Sequence, residues 1–391
     1  MSLLPPLWDQ AGEEYLVKQT ILSILTALVT SMKEDSRRFH PLILPLIQSS
    51  IEPTSETRFY LLEDALELWS TILTQTPSPA HPQITSLADN LFPMYDVASD
   101  TLRKALEITE SYILLIPAEI LFSASRLITP LATILGKLKR EANGIITHLI
   151  ELLIRQASII GGTETVTQLT SILIDTHFLT TILTALQDCH TSHQTTGPNR
   201  LSPSIDGIVE TDYLSVLARL AIISPNLFVS AITATARNLV ETFDTAIAWL
   251  LTEWFSHFDN IAHPTTKKLH CLALTALLAT NEPWILSHLQ SLMSIWTEVI
   301  TELIDTSTGA DSLVYWDEEA LKGAPGTESA EDERRRKLEM QDVVRRADVK
   351  GFVRERVEGV VQGLGGREAF GRWVEDVDRE VLEGFGGLGV V

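Results

Sequence analysis

The 391-residue chain has few cysteines and no recognisable secretory leader. Its two cysteines, Cys189 and Cys271, are too few for the disulfide framework of a small secreted protein, which favours a reducing compartment. The first residues, MSLLPPLWDQAGEEY, lack a basic segment, and Pro5, Pro6 and Asp9 interrupt their apolar pattern. Because this is not the pattern of a signal peptide, we expect an intracellular protein.

Long uncharged apolar runs are also missing. The most apolar stretch, SYILLIPAEILFSASRLITPLATIL at 111–135, contains Glu119, Arg126 and two prolines. A membrane-spanning helix needs about 20 consecutive apolar residues, so this stretch is more typical of buried helices. We therefore predict a soluble protein without membrane insertion.

Positive charge is scarce. The chain has 30 Lys and Arg residues against 51 Asp and Glu residues, which gives a formal net charge of −21 at pH 7. Such a field repels nucleic-acid phosphates and anionic lipid, and it attracts basic protein surfaces. The composition therefore predicts a basic protein partner and excludes nucleic acid as the expected ligand.

Strand signals are nearly absent, because strict two-residue alternation is rare and no Asn-Gly or Asp-Gly turn joins two apolar runs. Helical spacing is present instead. In YLVKQTILSILTALVTSM (15–32), apolar residues recur at the i, i+3, i+4 and i+7 positions of one helix face. The residues of that stripe are Leu16, Val17, Ile21, Ile24, Leu25, Leu28 and Val29. In FYLLEDALELWSTIL (59–73), the same spacing predicts that Leu66 and Trp69 are core residues, so an all-α chain follows.

Three segments of the N-terminal half share one pattern: an aliphatic helix with a proline, a polar break, and a second helix with a basic residue near its start. The prolines are Pro45, Pro93 and Pro130, and the basic residues are Arg58, Arg103 and Arg140. Because a proline inside a helix costs about 3 kcal/mol, its return at one phase indicates a repeated bend. Paired helices at intervals of roughly 40 residues predict a HEAT-repeat α-solenoid, a right-handed superhelix of antiparallel helix pairs.

Composition divides the chain into three regions. Residues 1–305 are predicted to form the HEAT array, interrupted by a flexible loop at 188–207 that is rich in Thr, Ser, Pro and Gly. Residues 306–337 form an acidic linker, which we predict to be disordered because it has too little apolar content to fold. Residues 338–391 contain short amphipathic helices and a glycine-rich tail, and we expect these helices to cap the array.

Two groups of metal-ligand residue types occur, and neither has a complete ligand pattern. His257, His263 and His270 are six and seven positions apart, so they do not share a helix face, and Pro264 indicates a corner between two helices. The second group, Cys189-His190-x-x-His193, offers three ligands but no matching Cys/His pair at zinc-finger spacing. We predict no metal site, no cofactor and no catalytic residue.

The acidic linker carries the only candidate contact residues. Eight acids stand against one lysine between 311 and 333: Asp311, Asp317, Glu318, Glu319, Glu328, Glu331, Asp332 and Glu333. One hypothesis makes this segment a mobile tether that contacts basic surfaces, either on a protein partner or on the chain's own RRRK run at 334–337. The other hypothesis makes it a solvated spacer. The RRRK run is interpreted as the start of a helix or an intrachain partner of the acids rather than as a nuclear localisation signal.

Several segments resemble the importin-β (karyopherin-β) family, and most closely its importin-11 branch. They are FHPLILPLIQSSIEPTSETRFYLLEDALELW (39–69), HFDNIAHPTTKKLHCLALTALL (257–278) and ERRRKLEMQDVV (333–344). The similarity covers nearly the whole chain, and the 188–207 loop and the glycine-rich tail diverge most. These segments are distinctive of the family, but they are not catalytic motifs.

The resemblance implies a nuclear transport receptor of the cytoplasm, nucleus and nuclear pore. In this family a concave face binds protein cargo, phenylalanine-glycine nucleoporins dock on outer helices, and Ran-GTP releases import cargo. Because family members are longer and this chain resembles their C-terminal portion, the principal Ran-GTP site is expected to be absent here. The alternatives are a HEAT scaffold or regulatory subunit of another complex, and a metal-dependent enzyme.

Overall fold

The computed structural model describes residues 4–95, 101–138, 140–195, 201–303 and 328–389, and these residues contain no β-strand. The helices cluster into two compact units. The first comprises the described residues up to Lys137 together with a later segment that ends at Leu338. The second comprises the described residues from Leu138 onward together with those from Glu339 to the C-terminal end. The helices after 338, which the sequence sets apart as a capping region, therefore belong to the second unit, and the capping role stays a prediction.

The described residues of the first unit before Lys137 contain eight α-helices. They are α1 (Leu4–Gln10), α2 (Tyr15–Met32), α3 (His40–Ile51), α4 (Arg58–Gln75), α5 (Pro82–Leu87), α6 (Leu102–Leu115), α7 (Pro117–Phe122) and α8 (Ala124–Ile134). Helix α4 packs against α2, α3 and α6. Its apolar face is fully buried, including Leu66 and Trp69 as predicted. The stripe predicted for α2 is partly wrong, because Leu16, Val17 and Ile24 are exposed while Leu22 is buried.

A chain of hydrogen bonds crosses the core of the first unit. The indole N–H of Trp69 donates to the Tyr112 hydroxyl at 2.9 Å, and that hydroxyl donates to the backbone carbonyl of Ile84 at 2.7 Å. The two rings meet edge to face, with centroids 6.0 Å apart. A buried indole or phenol needs a polar partner, so these two hydrogen bonds hold α4, α5 and α6 together.

The repeated prolines have two different settings. Pro45 lies inside α3 and Pro130 lies inside α8, as the repeat pattern predicts. Pro93 differs, because it lies in a short 3-10 turn, Phe92–Met94, rather than in an α-helix. A proline fixes φ and removes an N–H group, and a single 3-10 turn tolerates that loss as well as a helix bend does.

The second unit begins with a long helix that bends at a glycine pair. Its first helices are α9 (Arg140–Asp175), α10 (Phe178–Gln194), α11 (Gly207–Ile223), α12 (Pro225–Asn238), α13 (Phe243–His257), α14 (Pro264–Leu277), α15 (Pro283–Leu286) and α16 (Leu289–Leu303). Helix α9 is interrupted at Gly161 and Gly162, where Gly162 has a φ of 60° that side-chain-bearing residues rarely adopt. The sequence instead predicts one helix over 164–187, which the structure divides at residues 176 and 177.

The last helices contain the basic run and the C-terminal residues. They are α17 (Ala330–Gln341), α18 (Val343–Arg346), α19 (Val349–Gly363), α20 (Arg367–Val374) and α21 (Arg379–Gly387). The boundary between the two units falls within α17, after Leu338. In the second unit, α21 packs on α16, where Phe385 lies 5.2 Å from Trp296 between ring centroids.

The loop predicted at 188–207 is wrong at its start. Helix α10 continues to Gln194, and Cys189 is fully buried in it. Helix α11 begins at Gly207, where the Asp206 side chain accepts from the N–H groups of Ile208 and Val209. Residues 196–200 of the predicted loop lie outside the described residues. The apolar face of α10 extends through the polar sequence because Leu186, Cys189 and Ser192 all share it.

Two helical stretches, Tyr15–Ile51 and Arg140–Asp175, are long and apolar enough to cross a membrane by length and composition alone. Core helices of soluble proteins pass the same test, so it is weak evidence for a span. The first stretch is broken by the charged 3-10 turn Lys33–Phe39. Half of the second stretch's apolar window is buried within the protein, against 28% of the first stretch's window. Helix α2 of the first stretch packs against α4.

Candidate protein-binding groove

A groove of about 600 Å³ lies in the second unit. Helices α9 and α11 form its walls, and the corner before α14 closes one side. Two acids complete it: Glu339 of α17 and Asp342, which directly precedes α18. Its charged and histidine side chains are His148, Glu151, Arg155, Asp212, Arg219, His263, Glu339 and Asp342. A concave site with convergent polar groups is the usual form of a binding site.

A buried ion network forms part of the groove wall. Arg219 donates through one terminal nitrogen to both carboxylate oxygens of Asp342 at 2.9 Å, and its Nε lies 3.2 Å from Glu151. Arg155 lies 3.0 Å from Asp342 and 2.6 Å from Glu339. Burial acts to raise the pKa of Asp342, but the charges of Arg219 and Arg155 outweigh it and hold that pKa below its usual range. The network connects α9 and α11 to the start of α18.

Asp212 is the acid of the groove that forms no ion pair with Arg155 or Arg219 in the described residues. It is half-buried on α11, and burial together with the nearby carboxylates of Glu151 and Asp206 raises its pKa to about 6. Gly144 on α9 permits its approach, since a Cβ at that position would lie 3.1 Å from an oxygen of Asp212. With neutral histidines, four carboxylates and two guanidinium groups leave the groove with two net negative charges.

The corner predicted between 257 and 264 is confirmed. Helix α13 ends at His257, a 3-10 turn covers Phe258–Asn260, and α14 begins at Pro264. The three histidines of this stretch do not meet. His263 is exposed at the groove, His257 is buried 3.2 Å from Glu210, and His270 is fully buried within α14.

His270 has no nitrogen left for a metal ion. Trp254 donates to its Nδ1 at 2.7 Å, and its Nε2 lies 2.9 Å from the Ser215 hydroxyl. Because an indole N–H can only donate, Nδ1 accepts and the proton lies on Nε2, which fixes a neutral tautomer. Burial lowers the pKa of His270 to about 3, in keeping with that neutral form.

The second histidine group has unexpected neighbours. His190 and His193 both point to Glu253 on α13, and Glu253 in turn lies beside Glu210 on α11. Neither glutamate stands out in the sequence, because neither belongs to a metal-ligand motif and acids occur throughout the chain. Only their burial, 2% and 1% exposed, distinguishes Glu210 and Glu253 from the solvated acids of the chain.

The acidic residues predicted to contact a partner divide into two groups. Asp311, Asp317, Glu318 and Glu319 lie outside the described residues. Glu328, Glu331, Asp332 and Glu333 are described, and the first three contact the chain itself. Glu328 pairs with Arg336 through two hydrogen bonds of 2.7 Å, and Asp332 accepts from the hydroxyl and N–H of Ser329 at the start of α17. Glu333 is exposed.

Glu331 is buried, which is unexpected for a residue assigned to a disordered linker. It accepts from the Ser111 hydroxyl at 2.6 Å and pairs with Arg335, which also contacts Glu110. Arg334 donates to the carbonyls of Leu73 and Thr76 at the C-terminal end of α4. The RRRK run is therefore helical and bound within the first unit, and the predicted linker is wrong from Ala330 onward.

An exposed aromatic patch lies on the first unit at the adjoining starts of α2 and α4. Tyr15 stacks on Tyr60 with ring centroids 4.3 Å apart, and Phe59 meets Tyr60 edge to face at 5.2 Å. The side chains of Phe59 and Leu16 are 86% and 77% exposed. We call Tyr15, Leu16, Phe59 and Tyr60 the aromatic patch. Exposed apolar clusters of this kind are typical of protein-binding surfaces.

Known proteins resemble this chain along nearly all its length. A family model described as importin-11-like TPR repeats matches residues 19–390. Importin-11 of Homo sapiens is 26% identical over 400 residues, and the importin beta-like protein kap113 of Schizosaccharomyces pombe is 26% identical over 388. Both alignments cover 98% of this chain but only 37% and 36% of those proteins.

A solved structure has the same fold. The structure of Lph2, described as a bidirectional nuclear transport receptor in S. cerevisiae, superposes with a TM-score of 0.82 at 20% identity. The match covers 98% of this chain and 40% of that one. The all-α solenoid class predicted from the sequence is thereby confirmed.

Proposed function

The chain belongs to the importin-11-like family, and from this membership we propose that it forms cargo-binding helical repeats of a nuclear transport receptor. The observation that carries the proposal is the family match along residues 19–390, together with a helical-repeat fold. Because the chain spans about two fifths of the relatives' length, transport activity of the whole protein is part of the proposal. We place its action in the cytoplasm, the nucleus and the nuclear pore.

We further propose that the groove of the second unit receives a basic segment of a protein cargo. Its two excess negative charges favour a lysine or arginine side chain, and Asp212 supplies the carboxylate that no arginine of the groove neutralises. The net charge of −21 supports the same partner class, because long-range attraction raises association rates with basic proteins.

Asp212→Asn is expected to weaken binding of a lysine- and arginine-rich peptide about threefold, since a partly exposed ion pair contributes about 0.2–1 kcal/mol. Fluorescence anisotropy at low and high salt measures the effect. The difference should shrink at high salt, where the Debye length falls to about 3 Å at 1 M. Glu164→Gln, an exposed acid of α9 outside the groove, is the matched control and should leave the affinity unchanged. Equal losses for both variants would contradict the groove assignment.

We propose the aromatic patch as a docking surface for phenylalanine-glycine nucleoporins. A phenylalanine of such a repeat can bury its ring against Phe59 and Tyr60, and the exposed Leu16 follows Tyr15, which stacks on Tyr60. Burial of apolar area at about 25 cal/mol per Å² makes each such contact weak, so retention on a dense resin is the suitable measurement.

The chain should be retained on phenylalanine-glycine repeat resin and pass through serine-glycine resin. The double variant Leu16→Ala, Phe59→Ala is expected to reduce retention several-fold while leaving the helical circular dichroism unchanged, because both side chains are exposed. Phe122→Ala, which removes a 96% exposed phenylalanine elsewhere on the first unit, is the matched control. Equal retention on both resins would favour the alternative, a helical scaffold or regulatory subunit of another complex.

Ran-GTP is a partner of full-length receptors in the family that this chain resembles. The resemblance assigns its principal site to repeats N-terminal of the matched portion. We therefore propose that the residues of this chain add little to Ran-GTP affinity, and we assign none of them to that contact.

A further inference from the structure

A buried cluster of histidines and glutamates lies in the second unit, where α10, α11 and α13 pack together. Helix α10 contributes His190 and His193, α11 contributes Glu210, and α13 contributes Glu253 and His257. The two glutamates are 2% and 1% exposed. None of these residues lines the groove or belongs to the aromatic patch, so the proposed function leaves the cluster unexplained.

Each buried carboxylate has at least one histidine nitrogen within 3.2 Å. One oxygen of Glu253 lies 2.6 Å from His193 Nδ1, and the other lies 3.2 Å from His190 Nδ1. Glu210 lies 3.2 Å from His257 Nδ1, and His257 Nε2 lies 2.8 Å from the Thr211 hydroxyl. The arrangement is that of carboxylates oriented by hydrogen-bonding partners, as around protein metal ions.

Between the carboxylates of Glu210 and Glu253, one oxygen atom lacks a hydrogen-bond donor. Glu210 Oε1 is buried and has no hydrogen-bond partner among the described residues. Ionised carboxylates only accept hydrogen bonds, so the neighbouring Glu253 cannot satisfy this oxygen without an added proton or cation. One donor atom each of His193, Glu210 and Glu253 lies within 4.8 Å of the others. Zinc ligands at about 2.0–2.2 Å from the metal are themselves separated by about 3–3.5 Å, so small side-chain rotations suffice.

We propose that His193, Glu210 and Glu253 bind one divalent transition-metal ion of the zinc class. One imidazole nitrogen and two carboxylate oxygens are ligands that zinc accepts, whereas calcium and magnesium prefer all-oxygen shells with more ligands or waters. His190 and His257 would orient the two carboxylates from outside. The His193 side chain is 39% exposed and gives the ion a path from solvent.

The ion would stabilise the packing of three helices rather than perform chemistry. It would connect the end of α10 to α11 and α13. Because metal binding to folded protein favours the folded state, metal should raise the melting temperature of the chain.

The test uses the full chain without a histidine tag, freed of metal by dialysis against a chelator. Calorimetric titration with Zn²⁺ should show about one site per chain, and Co²⁺ should give visible absorption bands typical of nitrogen and oxygen ligands. His193→Ala and Glu253→Gln are each expected to weaken Zn²⁺ binding by ~100-fold or more. Loss of a residue that only hydrogen-bonds a metal ligand already weakens binding by about 10–100-fold, and loss of a ligand should cost at least as much. His177→Asn, which replaces an exposed histidine of the same unit outside the groove, should leave Zn²⁺ binding unchanged, and asparagine tolerates the left-handed backbone of that position.

The test uses variants at both Glu253 and His193, so that it still gives an answer if one variant fails to fold. Glu253 is buried, so its replacement can disturb packing, but His193 is partly exposed and its truncation should preserve the fold. Absence of saturable Zn²⁺ binding to the wild-type chain would overturn the proposal and leave the two carboxylates sharing a proton. Undiminished binding in His193→Ala, or saturation by Mg²⁺ in preference to Zn²⁺, would overturn it as well.

Discussion

Trp69→Ala is expected to destabilise the first unit by about 3–5 kcal/mol, the usual range for removing a large aromatic side chain from a packed core. Trp69 is fully buried in α4. Its loss creates a cavity against Tyr112 and removes the N–H that the Tyr112 hydroxyl accepts. Urea unfolding followed by circular dichroism and by tryptophan fluorescence measures the change.

The effect should be local to the first unit. Repeats contact mainly their neighbours, so we expect faster hydrogen exchange in α4, α5 and α6 and little change in the second unit. Trp69→Phe keeps most of the ring and should lose less, whereas Phe59→Ala on the same helix should change stability by under about 0.5 kcal/mol because it is exposed. An unchanged transition in Trp69→Ala would show that this side chain is not part of the core.

Asp342→Asn is expected to destabilise the second unit by about 3 kcal/mol, since removing one member of a buried ion network leaves the opposite charge uncompensated. Asp342 and Arg219 are each 7% exposed. Arg219 and Arg155 would retain only Glu151 and Glu339, which are more exposed. Asparagine can still accept a hydrogen bond from the Val344 N–H at the start of α18, so the helix N-cap is kept. The lost stability would therefore come from the missing negative charge.

The pH dependence of this loss has a definite sign. The pKa of Asp342 is lower in the folded chain than in the unfolded chain. Its stabilisation is therefore complete above the unfolded value of about 3.9 and is lost as the pH falls through the lower folded value. The difference between wild type and variant should be largest above pH ~5 and should shrink below pH ~4. Glu383→Gln, which breaks an exposed pair with Arg379, should change stability by under about 1 kcal/mol.

Local sequence patterns determined the helical class, the corner before Pro264 and the core positions Leu66 and Trp69. Each depends on spacing within one helix or on a single proline, so contacts between distant residues are not needed to infer them. The family resemblance could be seen for a similar reason, because it rests on contiguous stretches such as FYLLEDALELW, which can be compared without knowing any tertiary contact.

Only the tertiary structure decided where the charged residues lie. Glu331 lies in a segment that the sequence predicts to be a disordered linker, yet Ser111, more than 200 residues away, donates a hydrogen bond to it within the first unit. The RRRK run is helical and paired with acids of the same segment, as its sequence predicts, but its contacts with Glu110 and the end of α4 could not be inferred from the sequence. His193, Glu210 and Glu253 form a cluster for the same reason: three separate helices bring them together. Charge alone does not reveal burial, because a buried charge is stable only through partners that sequence spacing does not show.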